Sequence, residues 1–279
     1  MTNVLERLKL VVQYKLYIYL LHFRKIILES LMGSKAKKRL MINIGGGLYF
    51  RPGWRVMDYV SPFYPFAGKY IDYNIDLMGK VSFPFEDNSV AVFYSSHTLE
   101  HIPQEFCQNI LDEIHRCLEP GGVVRLTMPD YDILRAAALR NDEPFFESQM
   151  ARDLTIEESL VSQIATDMAG RAPRDEVIRN FKDMTAEEFA EHYTSRASRE
   201  VQKEKGGYHI NWFNYDKLSA MAKAAGFENM YKSQAQGSKF ADLVGTGGLF
   251  ATGNIFDGER RLGVDTSHPT RSLYLEAVK

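Results

Sequence analysis

The stretch VAVFYSSHTLEHIPQEFCQNILDEIHRCLEPGGVVRLTMP (90–129) has the pattern of a strand, a helix and a second strand in succession. Its opening run VAVFYSS (90–96) follows the turn EDNS and predicts a buried strand. Apolar residues then recur every four positions, which predicts a helix over 102–118 that ends at EPGG. The run VVRLTMP (123–129) predicts the next strand. Strands that alternate with helices imply a parallel sheet with both faces covered.

Three further strands are predicted before this unit. They are bounded by glycines or turns and read LMINI (40–44), WRVMDYV (54–60) and YIDYNIDL (70–77). Short apolar runs between such signals are typical of buried strands. The amino-terminal part of the body is therefore rich in strands.

The chain changes character after the strand–helix–strand unit. Residues 136–205 are charged and poor in strand formers, which predicts an insertion of about three short helices. NYDKLSAMAKAAGF (214–227) has the Asn/Asp start and the glycine stop of a helix. GLFATGNIF (248–256) and SLYLEAVK (272–279) are predicted to be the two strands that close the sheet.

Composition limits the class of protein. The chain has 279 residues, of which 45% are hydrophobic and 25% charged, and this suits one globular domain with an insertion. A net charge of −2 argues against a general nucleic-acid binder, so no nucleic-acid partner is expected. Two cysteines imply no disulfide framework, and without a signal-peptide pattern they predict a cytoplasmic protein.

Residues 1–38 form a basic arm with helical periodicity. Residues 1–39 contain nine Lys/Arg and two acids, so they carry 9 − 2 = +7 and the remainder carries −2 − 7 = −9. Interleaved aromatic and basic residues are typical of helices on anionic membranes. The run LYIYLLHF (16–23) is shorter than the roughly 20 residues of a membrane span. Two readings stay open: a helix packed on the body or on a second subunit in a homo-oligomer, or a peripheral contact with the inner face of a membrane.

The first strand ends on three consecutive glycines, Gly45, Gly46 and Gly47. A glycine turn after a strand lets a cofactor approach the backbone, although many loops contain such glycines and GxGxxG is not present here. Asp58 ends the next strand, and its carboxylate can accept both ribose hydroxyls of a nucleoside. Only eleven positions separate Gly47 from Asp58, which leaves no room for a helix whose N-terminus would bind a pyrophosphate. This spacing favours a nucleoside cofactor without a phosphate over NAD.

The segment FPFEDNSVAVFYSSHTLEHIPQEFCQNILDEIHRCLEPGGVVRLTMPD (83–130) resembles the Rossmann-like, S-adenosylmethionine-dependent methyltransferases of class I. In that family an LPF-D-S-D segment leads into strand four, LEH opens the next helix, and EI-R-L-PGG precedes a strand that ends in PD. NIGGG (43–47) takes the place of the family's D-x-G-x-G turn. The resemblance is closest to a type-11-like branch of bacterial predicted methyltransferases with a shortened first helix, often associated with surface-glycan synthesis.

This resemblance implies an α/β fold with a mostly parallel seven-stranded sheet flanked by helices, a helical insertion and an N-terminal helical arm. The implied division is an arm (1–38), a cofactor-binding half (39–135), an insertion or lid (136–207) and a C-terminal completion of the sheet (208–279). The implied cofactor is S-adenosylmethionine.

The resemblance also assigns the cofactor site residue by residue. Gly45, Gly46 and Gly47 would line the methionine and ribose, and Asp58 would hold the ribose hydroxyls. Asn43 stands where the family usually has an acid that helps to hold the amino-acid end of the cofactor.

Two further groups complete the implied cofactor site. Asp76, followed by Leu77, stands where the family contacts the adenine. Ser95, Ser96 and His97 end strand four beside the sulfonium.

Methyl transfer is an in-line displacement in which alignment supplies much of the rate, and an alcohol acceptor also needs a base. The candidate catalytic residues are His97, His101, His209 and Asp130. Alternative roles stay open: His101 could cap or orient the helix, His97 and Glu100 could only shape the pocket, and His209 could belong to an aromatic cluster with Trp212. No metal site is expected, because HTLEH is not the HExxH arrangement and spacing fixes no third ligand.

The expected function is O-methylation of a sugar, glycan or sugar-nucleotide acceptor in polysaccharide biosynthesis. One alternative is a catalytically silent relative that binds the cofactor or acts as a scaffold, which Asn43 suggests. The other is a methyltransferase that acts on a lipid or a small metabolite.

Overall fold

The structure is a computed structural model that describes residues 2–31, 39–60, 68–146, 153–235, 237–240, 243 and 270–279, with the backbone alone for 2–8 and 10. The predicted strand GLFATGNIF (248–256) lies outside the described residues.

A single sheet of seven strands organises the described part of the chain. The strands are β1 (Met41–Ile44), β2 (Trp54–Asp58), β3 (Tyr73–Asn74), β4 (Val90–Ser96), β5 (Leu118–Pro129), β6 (Asn229–Lys232) and β7 (Ser272–Val278). Their order is β3-β2-β1-β4-β5-β7-β6, and β7 runs antiparallel to both of its neighbours. The expected α/β fold with a mostly parallel seven-stranded sheet is confirmed.

Eight α-helices surround this sheet in the described residues. They are α1 (Thr2–Leu31), α2 (Gln104–Cys117), α3 (Tyr131–Leu139), α4 (Ile156–Ser162), α5 (Arg174–Asp183), α6 (Ala186–Thr194), α7 (Arg199–Glu204) and α8 (Tyr215–Ala224). The described residues of the insertion contain four short helices, α4 to α7, where the sequence predicts about three. Capping boxes at Thr155 and Thr185 fix the starts of α4 and α6.

The buried apolar residues form separate clusters that pack the helices on the sheet and on each other. The largest lies between one face of the sheet and helices α2 and α8, and includes Ile42, Phe93 and Ile110. A second joins α3 to the insertion and to Trp212, which stands just before α8. The insertion therefore packs on α3 and on the segment before α8 through a cluster separate from that of the sheet.

Two predictions for single strands were wrong. The stretch 70–77 forms only the two-residue strand Tyr73–Asn74, because a 3₁₀ turn occupies Gly68–Tyr70 and the Asp72 carboxylate accepts the Val56 N–H at 2.8 Å. The strand Asn229–Lys232 was missed, since NMYK has no apolar run to predict it. It still pairs with β7 at the edge of the sheet.

The arm forms one long helix whose second half is fastened to the body. Ile18 and Leu21 are buried against Phe50. The Lys25 Nζ donates to the Trp54 carbonyl at 2.8 Å, and Glu29 pairs with Arg55 at 3.0 Å. No helix among the described residues is long and apolar enough to cross a membrane.

Candidate active site

The glycine turn after β1 is held by its neighbours on both sides. The Gly45 N–H donates to the Met57 carbonyl at 2.8 Å, which ties the turn to the end of β2. Gly45 has φ +66, and a Cβ there would lie 2.1 Å from Oγ1 of Thr98. Both the conformation and the close approach therefore require glycine.

The other two glycines differ in what surrounds them. A Cβ on Gly46 would lie 2.8 Å from the side chain of Asn43, which is buried in β1. A Cβ on Gly47 would meet no atom within 4 Å, although φ is +50. The turn therefore has an open side at Gly47 against which a ligand can lie.

Asp58 is bound to the same turn. Its Oδ2 accepts the Gly47 N–H at 2.8 Å and its Oδ1 accepts the Tyr59 N–H at 2.7 Å. Burial raises the pKa of Asp58, and the two backbone hydrogen bonds lower it. Each carboxylate oxygen has a second lone pair, so the group can still accept hydroxyl donors such as those of a ribose.

Asp76 and Leu77 follow β3 and occupy different environments. Asp76 is exposed, and its Oδ1 accepts the Met78 N–H at 2.9 Å. Leu77 is buried in the main core. The Ile75 N–H donates to the Asp58 carbonyl at 2.9 Å, so this segment starts beside the end of β2.

The residues that end β4 connect it to its neighbours. The Ser95 hydroxyl donates to the Ile44 carbonyl at 3.1 Å and is buried, while Ser96 is half-buried. His97 has φ +52, a left-handed conformation that is uncommon outside glycine and concentrated at functional sites. Its Nε2 lies 3.0 Å from the Ser272 hydroxyl at the start of β7.

Glu100, which the sequence indicates only as a residue that shapes the pocket, lies at the centre of what we call the histidine cluster (His97, Glu100, His101 and His209). Its Oε1 is 2.9 Å from Nδ1 of His97, and one ligand atom each of Glu100, His101 and His209 lies within 4.8 Å of the others. The rings of His101 and His209 are 4.8 Å apart. The segment that precedes α8 closes the cluster, since the Ile210 N–H donates to the Glu100 carbonyl at 2.9 Å.

Electrostatic interactions and burial set the charge states of Glu100 and His209 in the histidine cluster. Burial raises the pKa of Glu100, but the imidazoles, His97 foremost, lower it to about 2. Burial and the neighbouring His101 lower the pKa of His209 to about 4. At neutral pH the carboxylate is therefore ionised and the His209 imidazole is neutral.

The structure does not bring Asp130 into this cluster. Its Oδ1 accepts the Asp132 N–H at the start of α3, and its Oδ2 lies 3.5 Å from Nζ of Lys232. Burial raises the pKa of Asp130. Asp130 therefore caps a helix in this state of the protein, although it stands at the carboxyl edge of the sheet, as the sequence predicts.

An open cleft of about 950 Å³ lies on the side of α2 and α8. Its lining includes Gln104, Tyr131, Glu187, Trp212 and Lys217. The lining contains none of the residues predicted for catalysis or cofactor binding, so the cleft does not define the site.

Comparison with known families identifies one segment of the chain, which contains the end of β4 and the residues His97, Glu100 and His101. Residues 65–126, which contain β3, β4, α2 and most of β5, match a family model described as a methyltransferase domain. The match identifies a methyltransferase domain in the chain and supports S-adenosylmethionine-dependent methyl transfer. A comparison with curated protein sequences finds no significant match.

Solved structures similar to this chain are distant in sequence. An S-adenosylmethionine-dependent methyltransferase from Mesorhizobium loti has 12% identity and a TM-score of 0.42 over 90% of this chain and 96% of that one. A methyltransferase from Thermotoga maritima has 13% identity and a TM-score of 0.39 over 100% of both chains. Phosphoethanolamine N-methyltransferase 2 of Haemonchus contortus, in complex with S-adenosyl-L-methionine, has 14% identity and a TM-score of 0.40 over 92% of this chain and 52% of that one. These scores are low, so the segment matched by the family model is what supports a methyltransferase.

The residues at this edge of the sheet suit S-adenosylmethionine, the cofactor that the methyltransferase-domain match supports. The open side at Gly47 and the carboxylate of Asp58 meet at the carboxyl edge of the sheet, where α/β folds bind nucleotides. A nucleoside needs no helix N-terminus there, and the described residues 45–53 between β1 and β2 form none. When bound, the cofactor supplies a methyl group activated by its sulfonium.

Proposed function

We propose that this methyltransferase transfers the methyl group to a hydroxyl of a sugar, glycan or sugar-nucleotide acceptor in polysaccharide biosynthesis. The supporting observation is the histidine cluster, which combines a buried carboxylate with imidazoles at the carboxyl end of β4. A hydroxyl is a poor nucleophile until its proton is removed or its oxygen is polarised, whereas an amine acceptor needs neither to the same degree. Such a cluster is therefore expected for an alcohol acceptor.

The cofactor residues named from the sequence belong to the same proposal. Gly45 and Gly47 shape the turn, and Asp58 receives the ribose hydroxyls on lone pairs that the backbone leaves available. The remaining proposed cofactor contacts are Asn43, Gly46, Asp76, Leu77, Ser95, Ser96 and His97. They lie in β1, in the glycine turn, just after β3, at the end of β4 and just beyond it.

The imidazoles of His101 and His209 would face the acceptor through Nε2. Nδ1 of His101 lies 3.0 Å from the Tyr208 carbonyl, and Nδ1 of His209 lies 2.6 Å from the Gln163 carbonyl. A carbonyl accepts only from N–H, so Nδ1 carries the proton in each neutral ring and Nε2 carries the lone pair. Alignment of the hydroxyl with the methyl group and the sulfur supplies the rest of the rate.

The test is a methyl-transfer assay with an acceptor panel of sugars, nucleotide sugars, small phenols, amines and a lipid headgroup. Product mass identifies the acceptor class, and methylation of sugar hydroxyls above all others is the expected result. Preference for an amine or a lipid would refute the sugar proposal. Calorimetry with S-adenosylmethionine separates these outcomes from a silent relative, which would bind the cofactor or a partner but methylate nothing.

We also propose that α1 contacts an anionic membrane surface and holds the enzyme at the cytoplasmic face. Large apolar side chains on α1 are exposed, among them Leu16 and Tyr19 at 58% each and Phe23 at 51%. They are interleaved with basic residues in a segment of charge +7, which complements anionic lipid.

Vesicle sedimentation tests the membrane proposal. The protein should sediment with vesicles containing phosphatidylglycerol and not with phosphatidylcholine alone, and Phe23→Ser should weaken binding. Binding to neither vesicle, together with a dimer by light scattering that Phe23→Ser dissociates, would assign the surface to a second copy instead.

A further inference from the structure

We propose that Glu100, His101 and His209 form a binding site for one divalent transition-metal ion, which polarises the acceptor hydroxyl. These residues come from two segments more than 100 positions apart, and one ligand atom of each lies within 4.8 Å of the others. The sequence led to the opposite expectation of no metal, because spacing near His101 supplies no third ligand.

The two imidazoles are oriented as metal ligands are. In metal sites the ring nitrogen that does not bind the ion usually donates to a carbonyl or a carboxylate, which fixes the ring and its tautomer. Nδ1 of His101 meets the Tyr208 carbonyl, and Nδ1 of His209 meets the Gln163 carbonyl. The Nε2 lone pairs are thus the ones available for an ion.

The carboxylate has the properties of the third ligand. Glu100 is 1% exposed, and its Oε2 accepts no hydrogen bond from a described residue. Oε1 lies at ion-pair distance from His97, which leaves Oε2 as the ligand atom. Burying an ionised carboxylate oxygen without a hydrogen-bond donor costs free energy, and a bound cation would remove that cost.

The donor set indicates the class of ion. Two imidazoles and one carboxylate with open positions bind divalent first-row transition metals, in preference to Mg²⁺ or Ca²⁺. Bonds of about 2.1 Å place tetrahedral ligand atoms roughly 3.4 Å apart, so side-chain shifts of about 1 Å would close the site around an ion. A six-coordinate ion would keep three positions open, and two vicinal hydroxyls of a sugar can occupy two of them.

The consequence for methyl transfer rests on the proposed function. A hydroxyl bound to the ion loses its proton to water more readily, since a bound cation lowers the pKa of its oxygen ligands. The oxygen then forms a bond to the methyl carbon as the carbon–sulfur bond breaks, and the electron pair of that bond stays on sulfur in S-adenosylhomocysteine. His101 and His209 then act by holding the ion, and neither needs to take the proton.

The metal site is tested by titrating Mn²⁺ and Zn²⁺ into full-length protein that has been freed of metal by chelator, with Mg²⁺ for comparison. Calorimetry should give one ion per chain. His101→Asn and His209→Asn keep a donor for the backbone carbonyl but remove Nε2, and Glu100→Gln keeps the shape but removes the charge. Each should weaken binding by at least roughly tenfold.

Two controls make the result decisive. His192→Gln alters a histidine on α6 outside the cluster and should bind the ion as the wild type does. Circular dichroism and affinity for S-adenosylhomocysteine show that each variant is folded. The proposal is wrong if folded wild-type protein binds no ion, or if it binds one ion and all three variants bind it equally well.

The outcomes also separate this proposal from the proposed function. If the protein binds one ion through these residues but methylates no sugar, the metal site stands and the sugar proposal fails. If it methylates sugars at an unchanged rate after removal of metal and binds no ion, the sugar proposal stands and the metal site fails.

Discussion

Asp58→Asn should weaken cofactor binding much more than it weakens the fold. Asp58 accepts two backbone N–H groups, from Gly47 and Tyr59, and has one further lone pair on each oxygen. Asparagine keeps the shape of the side chain but offers only one acceptor oxygen. Its NH₂ group cannot accept a hydrogen bond from the donors that the second carboxylate oxygen serves. One backbone N–H and at least one ribose hydroxyl would therefore lose their acceptor.

The two losses have different magnitudes and different readouts. Loss of one backbone hydrogen bond at this half-buried position should lower the free energy of unfolding by about 1–2 kcal/mol. Loss of a ribose hydrogen bond to a charged acceptor costs about 1.5–3 kcal/mol of binding free energy, which raises Kd roughly 10- to 150-fold. Urea denaturation measures the first, and calorimetry with S-adenosylhomocysteine measures the second.

Asp72→Asn is a matched control. The Asp72 carboxylate also accepts a strand N–H, from Val56 at 2.8 Å, and lies 3.9 Å from Nε of Arg55. It stands before β3, away from the carboxyl edge that carries the glycine turn. This variant should lose similar stability but keep the affinity of the wild type.

Equal affinity in Asp58→Asn and Asp72→Asn would refute the assignment of the ribose to Asp58. In that case Asp76, which is exposed just beyond β3, becomes the carboxylate to test next.

Three predictions concern the fold around the site. Gly45→Ala should lower the free energy of unfolding in urea by about 2–5 kcal/mol. The new Cβ would overlap the side chain of Thr98, and alanine is strained at the positive φ of this position. Arg125→Ala should cost about 3–5 kcal/mol in the same assay, because it leaves the buried Glu276 carboxylate on β7 without its ion-pair partner. The Cys107 thiol should stay unreactive toward Ellman's reagent until the protein unfolds, since burial raises its pKa to about 12.

Each of these has a result that would contradict it. Gly47 also has a positive φ, but a Cβ there meets no atom within 4 Å. If Gly45→Ala and Gly47→Ala lose the same unfolding free energy, the overlap with Thr98 is not the cause. An Arg125→Ala protein as stable as wild type would mean that water enters to solvate Glu276. Rapid reaction of Cys107 in native conditions would show that the start of α2 opens frequently.

Much of the fold could be predicted from the sequence because buried strands and helices have regularly spaced apolar residues. The strand predicted over 90–96 is β4 residue for residue, and the predicted helices over 102–118 and 214–227 contain α2 and α8. The edge strand Asn229–Lys232 has no such spacing, since it is only partly buried. Its position is set by pairing with β7 some forty residues later.

The site was predictable in position more than in detail. His101 and His209 are both recognisable as candidates, but only the structure shows that their rings meet. From the sequence Glu100 is only a residue that shapes the pocket, because the segment that helps to bury it comes from beyond the insertion. Asp130 was placed at the correct edge, yet its carboxylate caps α3.

The short link between β1 and β2 has a consequence for how distant parts of the protein act on each other. It comprises nine residues, 45–53, whereas parallel strands are usually joined by a dozen or more that include a helix. The glycine turn begins this link, and near its end α1 covers Phe50 with Ile18 and Leu21. A surface that shifts α1 and a cofactor that orders the turn therefore act on the same few residues. If α1 binds lipid, thermodynamic reciprocity requires lipid to change cofactor affinity by the factor by which the cofactor changes lipid affinity.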